Sequence, residues 1–260
     1  MSDFRQQDLR GTTFEEVYLN DARFHQVDLS GAELREVLLS GARIHDAVLT
    51  DVRISGSDIS GLRIEGVEIE PLLEAELDRR HPDRPKMRPT DAAGFREAWA
   101  ILLRLWEGTV ERARTFPPEA LHEQVDGEWS FIETQRHLVF ATDAWVRRAL
   151  LGDPTPWDAL DLPHDEMPEL PGVPRDRTAR PSLDEVLVLR ADRQATVTEV
   201  LARLTDEQLA GSTTPVTEPG YPESESFAVL RCLTAIIHEE WEHRLFTERD
   251  LDSLAERSLM

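Results

Sequence analysis

Residues 14 to 44 read "FEEVYLNDARFHQVDLSGAELREVLLSGARI", with an apolar residue at every fifth position. The spacing extends in both directions to fourteen positions without a miss: Phe4, Leu9, Phe14, Leu19, Phe24, Leu29, Leu34, Leu39, Ile44, Leu49, Ile54, Ile59, Ile64 and Ile69. A period of five matches neither an α-helix, with about 3.6 residues per turn, nor a strand with alternating side chains. The pattern therefore predicts a stacked repeat, in which each unit packs on its neighbours.

Each five-residue unit is expected to form one side of a square coil. The central apolar residue and the residue two before it, such as Val17 or Ala22, would then point inward, and the rest would face water. Glycine recurs two residues after the central one, where a corner requires an easily turned backbone. These glycines are Gly11, Gly31, Gly41, Gly56, Gly61 and Gly66.

The repeats resemble the pentapeptide-repeat family, whose members form a right-handed quadrilateral β-helix. The resemblance begins at residue 2, and we place this domain at residues 1–70. It implies a scaffold or interaction role, including a homodimer through the coil, whose edge would offer unpaired strand groups. Some members are acidic mimics of DNA that act on topoisomerases, and this gives an alternative function.

The composition of the chain argues against several classes of function. The 260-residue chain carries a net charge of -22, which argues against binding to nucleic acid or to an anionic membrane surface. It has neither an apolar run long enough for a membrane span nor a secretory signal at its start. The single cysteine, Cys232, allows no internal disulfide framework. We therefore expect a cytoplasmic protein.

Beyond the repeats, the pattern changes to that of helices. Residues 71–89 are rich in charge and proline and are interpreted as a connector. Residues 90–260 are predicted to form an all-α four-helix bundle, with a proline-rich loop, residues 152–181, that favours a lid. Ser130 with Glu133, and Ser182 with Glu185, have the spacing of capping boxes. The four helices are expected at about 90–115, 130–151, 182–204 and 226–254.

Residues 238 to 243 read "HEEWEH", an unusual concentration of polar groups in an apolar stretch. On a helix, Glu239 and His243 share one face, whereas His238 points away from them. A third ligand would have to come from another helix, and His137 has apolar or small neighbours that favour an inward position. Two histidines and a carboxylate leave an open position on zinc. The alternatives are a buried hydrogen-bond network, with Glu240 as the carboxylate that meets His243, and a solvated helix face without chemistry.

Residues 90–254 resemble the DinB-like superfamily, particularly the branch that includes mycothiol-dependent maleylpyruvate isomerase. The resemblance rests on "EWSFIETQRHLVFATDAW", residues 128 to 145, and "HEEWEHRLFTERDL", residues 238 to 251. It implies a divalent metal, zinc or nickel, held by His137, Glu239 and His243. It also implies a low-molecular-weight thiol, such as mycothiol or bacillithiol, whose metal-bound thiolate attacks an electrophilic small molecule in a transferase or isomerase reaction.

Other side chains could take part in the same chemistry. Arg190 and Arg193 could hold a substrate carboxylate or simply lie on the solvated surface. His164, Asp165 and Glu166 in the proline-rich loop could act as general acid or base. A noncatalytic binding protein that associates through the coil is the main alternative to an enzyme.

Overall fold

A computed structural model describes residues 4–55 and 58–258 of the chain. Gly56, which the repeat places at a corner, lies outside the described residues. The chain forms two compact units, residues 1–57 and 58–260. The last predicted repeats, from Asp58 onward, thus share a compact unit with the helices. The predicted domain limits, 1–70 for the repeats and 90–260 for the bundle, remain predictions.

The backbone of the first unit follows the five-residue period. Every fifth residue from Gln6 to Asp51 has a positive φ, whether it is glycine or not. At alternate units a turn closes behind the central residue; for example, the Thr12 N–H donates to the Leu9 carbonyl oxygen over 3.1 Å. The prediction of a corner two residues after each central apolar residue is confirmed.

The predicted burial of the central residues is not seen. In residues 4–55 their exposed fractions run from 43% at Leu9 to 69% at Ile54, while Ile59 and Ile69 in the second unit are half-buried. The backbone hydrogen bonds seen in residues 4–55 close single turns, so no second layer covers these side chains. In the described part of the chain the only strands are β1, Arg63–Ile64, and β2, Val67–Glu68, which pair antiparallel. The ladder that would close a β-helix is therefore absent from the described residues.

Most of the remainder of the second unit is helical, as predicted, and the proline-rich loop, residues 152–181, contains no helix or strand. A short 3₁₀ helix, Arg84–Met87, lies within the predicted connector, and another spans Pro118–His122. A π-helix, Asp143–Leu150, continues α3 without a break. The α-helices are α1, Glu70–Arg80; α2, Ala92–Ala113; α3, Phe131–Thr142; α4, Leu183–Arg203; α5, Asp206–Leu209; and α6, Val229–Ser258. None of the helices in the described ranges combines the length and the apolarity that a membrane span needs.

Local signals fix the helix starts. Both predicted capping boxes are present, so Ser130 begins α3 and Ser182 begins α4 with their orphan N–H groups satisfied. The long helices then pack through an apolar core that includes Phe95 and Leu102 of α2 and Ile236 of α6. Burial of such side chains stabilises the bundle by roughly 1.5–3 kcal/mol each. This core sets α3 and α6 side by side.

Candidate metal centre

Three side chains from α3 and α6 bring their donor atoms together. Glu239 Oε2 lies 3.2 Å from His137 Nε2 and 3.1 Å from His243 Nε2. One donor atom from each residue lies within 4.8 Å of the other two. Glu239 and His243 occupy successive turns of α6, and His137 faces them from the middle of α3. The structure thus assembles the trio that the sequence predicted.

A backbone carbonyl sets the orientation of the His137 ring. Its Nδ1 lies 2.9 Å from the Leu162 carbonyl oxygen, which can only accept a hydrogen bond, so Nδ1 carries the proton. Burial lowers the pKa of His137 and favours the neutral ring. In that state Nε2 holds a bare lone pair, and it points toward Glu239.

Glu239 supplies the negative charge of the centre. Burial opposes its ionisation, but its hydrogen-bonding contacts with His137 and His243 dominate and hold its pKa well below the usual range. In the metal-free protein the contact between Glu239 and His137 therefore needs a proton on His137 Nε2, and a bound cation would take the place of that proton. Two acceptors at this distance require a proton or a cation between them. This donor set, two imidazoles and one carboxylate, suits zinc and similar divalent ions.

Aromatic side chains enclose the donors. The Trp129 ring stacks on His243 at 5.8 Å between centroids and lies 4.4 Å from the centroid of His137. Phe140 covers another side of His137, at 6.1 Å, and stacks in turn on Tyr221. Burial and the negative charge of Glu239 raise the pKa of Tyr221, which places its hydroxyl within the field of the centre.

The proline-rich loop is tied to α3 directly beside the centre. Arg136, fully buried, donates to the carbonyl oxygens of Leu160, Asp176 and Ala179 over 2.8, 2.6 and 3.4 Å. His137, the next residue, holds the loop at Leu162. The loop's apolar anchors pack on Phe140 and Ala144, and they include Trp157, Met167, Leu170 and Val173. Its role as a lid remains a prediction.

The positions of Arg190 and Arg193 differ from both predictions, a substrate carboxylate site and the solvated surface. Arg190 is buried and donates to both carboxylate oxygens of Glu240. Arg193 is buried as well and pairs with Asp143 in the same manner, at 3.0 and 2.7 Å. Both are therefore interior ion pairs, because each finds a carboxylate on a neighbouring helix. The solvated-surface interpretation is wrong, and a guanidinium fully paired in this way is not free to hold a substrate carboxylate.

The other residues that the sequence singled out are not donors of the candidate centre. His238 is exposed, as the helix geometry predicted. His164 contacts Glu166 at 3.2 Å and the Tyr221 ring at 5.4 Å between centroids, and Asp165 forms an ion pair with Arg177. These loop residues are not among the three donors. Their part in acid–base chemistry stays a prediction.

Sequence reasoning missed the Leu162 carbonyl and the Trp129 ring. No side-chain pattern reveals a backbone carbonyl as a partner for His137, because the contact depends on how the loop folds. Trp129 directly precedes the capping residue Ser130. A bulky aromatic residue at that position was the one available signal.

Comparison with known families agrees with the two-part organisation. A model of pentapeptide repeats in 8 copies matches residues 2–35 and 28–66. The model of the DinB superfamily matches residues 95–246, more than half of the chain, including all three donor residues. No curated protein and no solved structure matches the chain at a significant level. The chain therefore belongs to the DinB superfamily, and pentapeptide repeats precede its DinB domain.

Proposed function

We propose that the DinB domain is a metal-dependent enzyme that uses a low-molecular-weight thiol in a transfer or isomerisation of an electrophilic small molecule. The observation that carries the proposal is the convergence of His137, Glu239 and His243, whose donor atoms all lie within 4.8 Å of one another. The proton that His137 Nε2 and Glu239 Oε2 share at 3.2 Å in the metal-free protein could be replaced by a divalent ion. Here the third group, His243, adds another nitrogen that can serve as a ligand.

The surroundings of His137 also suit a metal ligand. Histidines that bind metals usually donate their second ring N–H to a carbonyl or carboxylate, which fixes the tautomer. The Leu162 carbonyl occupies that position. His137, Glu239 and His243 would hold a divalent ion such as zinc or nickel, and the fourth position would remain open. An ion held there would supply Lewis acidity, which lowers the pKa of a thiol that enters the open position.

The nucleophilic sulfur would have to come from another molecule. Cys232 is fully buried, and burial raises its pKa to about 11. It therefore stays protonated and inaccessible at neutral pH. Trp129 and the aromatic residues around Phe140 would exclude water from the reacting groups. The raised pKa of Tyr221 keeps its hydroxyl protonated, so Tyr221 could donate a hydrogen bond to the substrate.

Metal content is the first test. The full chain, purified without a histidine tag or chelator, should contain about one zinc, nickel or similar ion per chain by elemental mass spectrometry. The double variant His137→Ala/His243→Ala should lose the ion. His238→Ala is a matched control, since His238 lies on the same helix, is exposed and is not a donor of the centre.

Activity is the second test. The metal-loaded protein should convert an electrophile only when a thiol, mycothiol or bacillithiol, is present, and Glu239→Gln should abolish that conversion. Thiol-dependent conversion that is equal in wild type and Glu239→Gln would reject the enzymatic proposal. Absence of bound metal, together with no thermal shift on adding zinc or nickel, would leave the trio as a structural network. The function would then have to be sought in partners of the repeats.

A further inference from the structure

We propose that a notch beside the candidate metal centre binds the ammonium group of an amine-bearing ligand. The notch lies between the start of α3 and the second half of α6; most of its volume of about 220 Å³ is open to solvent, and the enclosed part has room for one group of the size of water or ammonium. Its lining includes Glu123, Trp129, Thr247 and Asp250, with Phe131 and Leu251 as apolar walls. Because Trp129 also stacks on His243, the notch and the centre share one wall.

An unpartnered hydroxyl in this lining points to a ligand. Thr247 is 3% exposed, and its Oγ1 has no hydrogen-bond partner among the residues that the structure describes. Buried hydroxyl groups are normally bonded, since leaving one unpaired costs about 1–3 kcal/mol. A polar group that enters the notch would supply the missing partner.

The charge of the lining selects the kind of group. Asp250 is largely buried, and only its neighbour Arg249 is seen to donate to it, at 2.8 Å to Oδ1. Burial raises the pKa of Asp250, the paired Arg249 lowers it, and the negative charges of Glu128 and Asp126 raise it again, so that the net shift is upward. An excess of acidic groups around a half-closed notch attracts a cation, and the Trp129 ring adds a surface that favours one. A carboxylate or phosphate would be repelled.

The spacing along α6 relates the notch to the centre. Thr247 and Asp250 follow His243 by one and two helical turns, which is about 6 and 10 Å along the axis. A ligand whose reactive atom lies at the centre would therefore carry its ammonium group about six bonds or more away. This part of the inference rests on the proposed function; the preference of the notch for ammonium does not.

Binding of three matched probes tests the preference without metal or thiol. Hexylammonium, hexan-1-ol and hexanoate would be titrated into the chelator-treated full chain, and the Trp129 indole N–H followed by nuclear magnetic resonance after assignment with Trp129→Phe. Hexylammonium should bind about tenfold more tightly than hexan-1-ol, and hexanoate more weakly than both. Equal dissociation constants for the three probes would overturn the proposal.

Variants separate the notch from general surface charge. Thr247→Val keeps the shape without the hydroxyl, and Asp250→Asn keeps it without the charge; each should weaken hexylammonium binding about five- to tenfold. Asp252→Asn is the control, since Asp252 lies on the same helix but is exposed and pairs with Arg112 at 2.5 Å. Unchanged hexylammonium binding in Thr247→Val and Asp250→Asn, with melting temperatures that show folded variants, would also overturn the proposal.

A thiol probe distinguishes the two proposals. In the zinc-loaded protein, 6-aminohexane-1-thiol should bind at least about tenfold more tightly than hexylammonium. If the ammonium preference is present but the thiol brings no gain, the notch is upheld and the thiol-dependent function fails. If the thiol gains affinity while the ammonium preference is absent, the function survives and the notch proposal falls.

Discussion

Arg190 on α4 and Glu240 on α6 form a doubly hydrogen-bonded ion pair in the interior of the bundle. Arg190 Nη1 and Nη2 lie 2.8 and 2.7 Å from the two carboxylate oxygens, and each side chain is 2% exposed. Arg190 Nε also donates to Gln135 Oε1 on α3 over 3.2 Å. Since Glu240 directly follows Glu239, this junction fixes α6 against both neighbouring helices at the level of the candidate metal centre.

Removal of one member of this pair should destabilise the bundle strongly. Arg190→Met leaves the Glu240 carboxylate buried without its partner, and such changes cost about 3–5 kcal/mol. The double variant Arg190→Met/Glu240→Met should recover most of that loss, because it leaves no unpaired charge. Chemical denaturation of both variants checks the expectation. A double variant as unstable as Arg190→Met would show that the charge itself is not the cause.

Zinc affinity should depend on pH in a defined direction. A divalent ion needs Glu239 ionised and both imidazoles neutral, so it competes with the proton that the metal-free cluster holds between its acceptors. As pH falls from 7.5 to 5.5, affinity should therefore fall, by about tenfold per pH unit for each proton displaced. Isothermal titration calorimetry in two buffers of different ionisation enthalpy measures affinity and proton release together. An affinity that is constant over this range would contradict the assignment of the ligands.

Substitution of Arg136 should make the proline-rich loop, residues 152–181, more mobile and so disturb the orientation of His137. Arg136→Met keeps the apolar stem but removes three hydrogen bonds to loop carbonyls. We expect faster hydrogen–deuterium exchange in residues 152–181 and a zinc affinity reduced by about 10–100-fold, because the Leu162 carbonyl would no longer hold the ring. Arg147→Met is the control, since Arg147 pairs with Asp143 and Asp153 and contacts no carbonyl of residues 160–179 that the structure describes. Equal exchange in both variants would rule out Arg136 as the anchor.

The donor trio was predictable because it depends on local geometry. Glu239 and His243 lie four residues apart, which places them on one helix face in any α-helix, and the apolar neighbours of His137 favoured an inward position. The repeats were predictable for the same reason, since their turns recur at a fixed spacing. The sequence therefore predicts the features that depend on residues close to one another along the chain.

The rest depends on partners distant in sequence. Arg190 and Arg193 continue the spacing of the buried face of α4, between Val186 and Val197, but the sequence does not reveal the acidic groups of α6 and of the π-helical segment that pair with them. The Leu162 carbonyl reaches His137 through a loop without a repeating pattern. The exposure of the central residues in 4–55 follows from the absence of inter-coil pairing in that segment, and the five-residue period predicts turns but not that pairing.

A buried acid in the loop should make stability depend on pH. Asp161 is fully buried, and burial together with the nearby Asp143 carboxylate raises its pKa well above the usual range. The folded state then keeps a proton that the unfolded chain loses near pH 4, so stability should fall as pH rises above that value. Asp161→Asn is neutral at every pH and should melt a few degrees higher than wild type at pH 8, with little difference at pH 5.

Substitution of Asp143, the acid near Asp161, should change stability in the opposite direction. Asp143 is paired twice with Arg193, so Asp143→Asn removes an ion pair and should lower the melting temperature at pH 8. Opposite signs for the two substitutions would show that Asp161, and not Asp143, is the protonated acid. If Asp161→Asn lowered the melting temperature at pH 8, the carboxylate would be ionised and stabilising, contrary to the prediction.

The same substitution should have opposite effects in the two units of the chain. Gly41 has a φ of +73°, where an alanine is strained by about 1–2 kcal/mol, whereas Gly108 lies exposed within α2, where alanine is favoured by about 1 kcal/mol. Gly41→Ala should therefore speed hydrogen–deuterium exchange in residues 36–46, and Gly108→Ala should raise the melting temperature of the bundle. Glu36 occupies the same position one unit earlier with a φ of +50°, so Glu36→Gly should slow local exchange. Faster exchange in Glu36→Gly would mean that the side chain, rather than the turn, holds that unit in place.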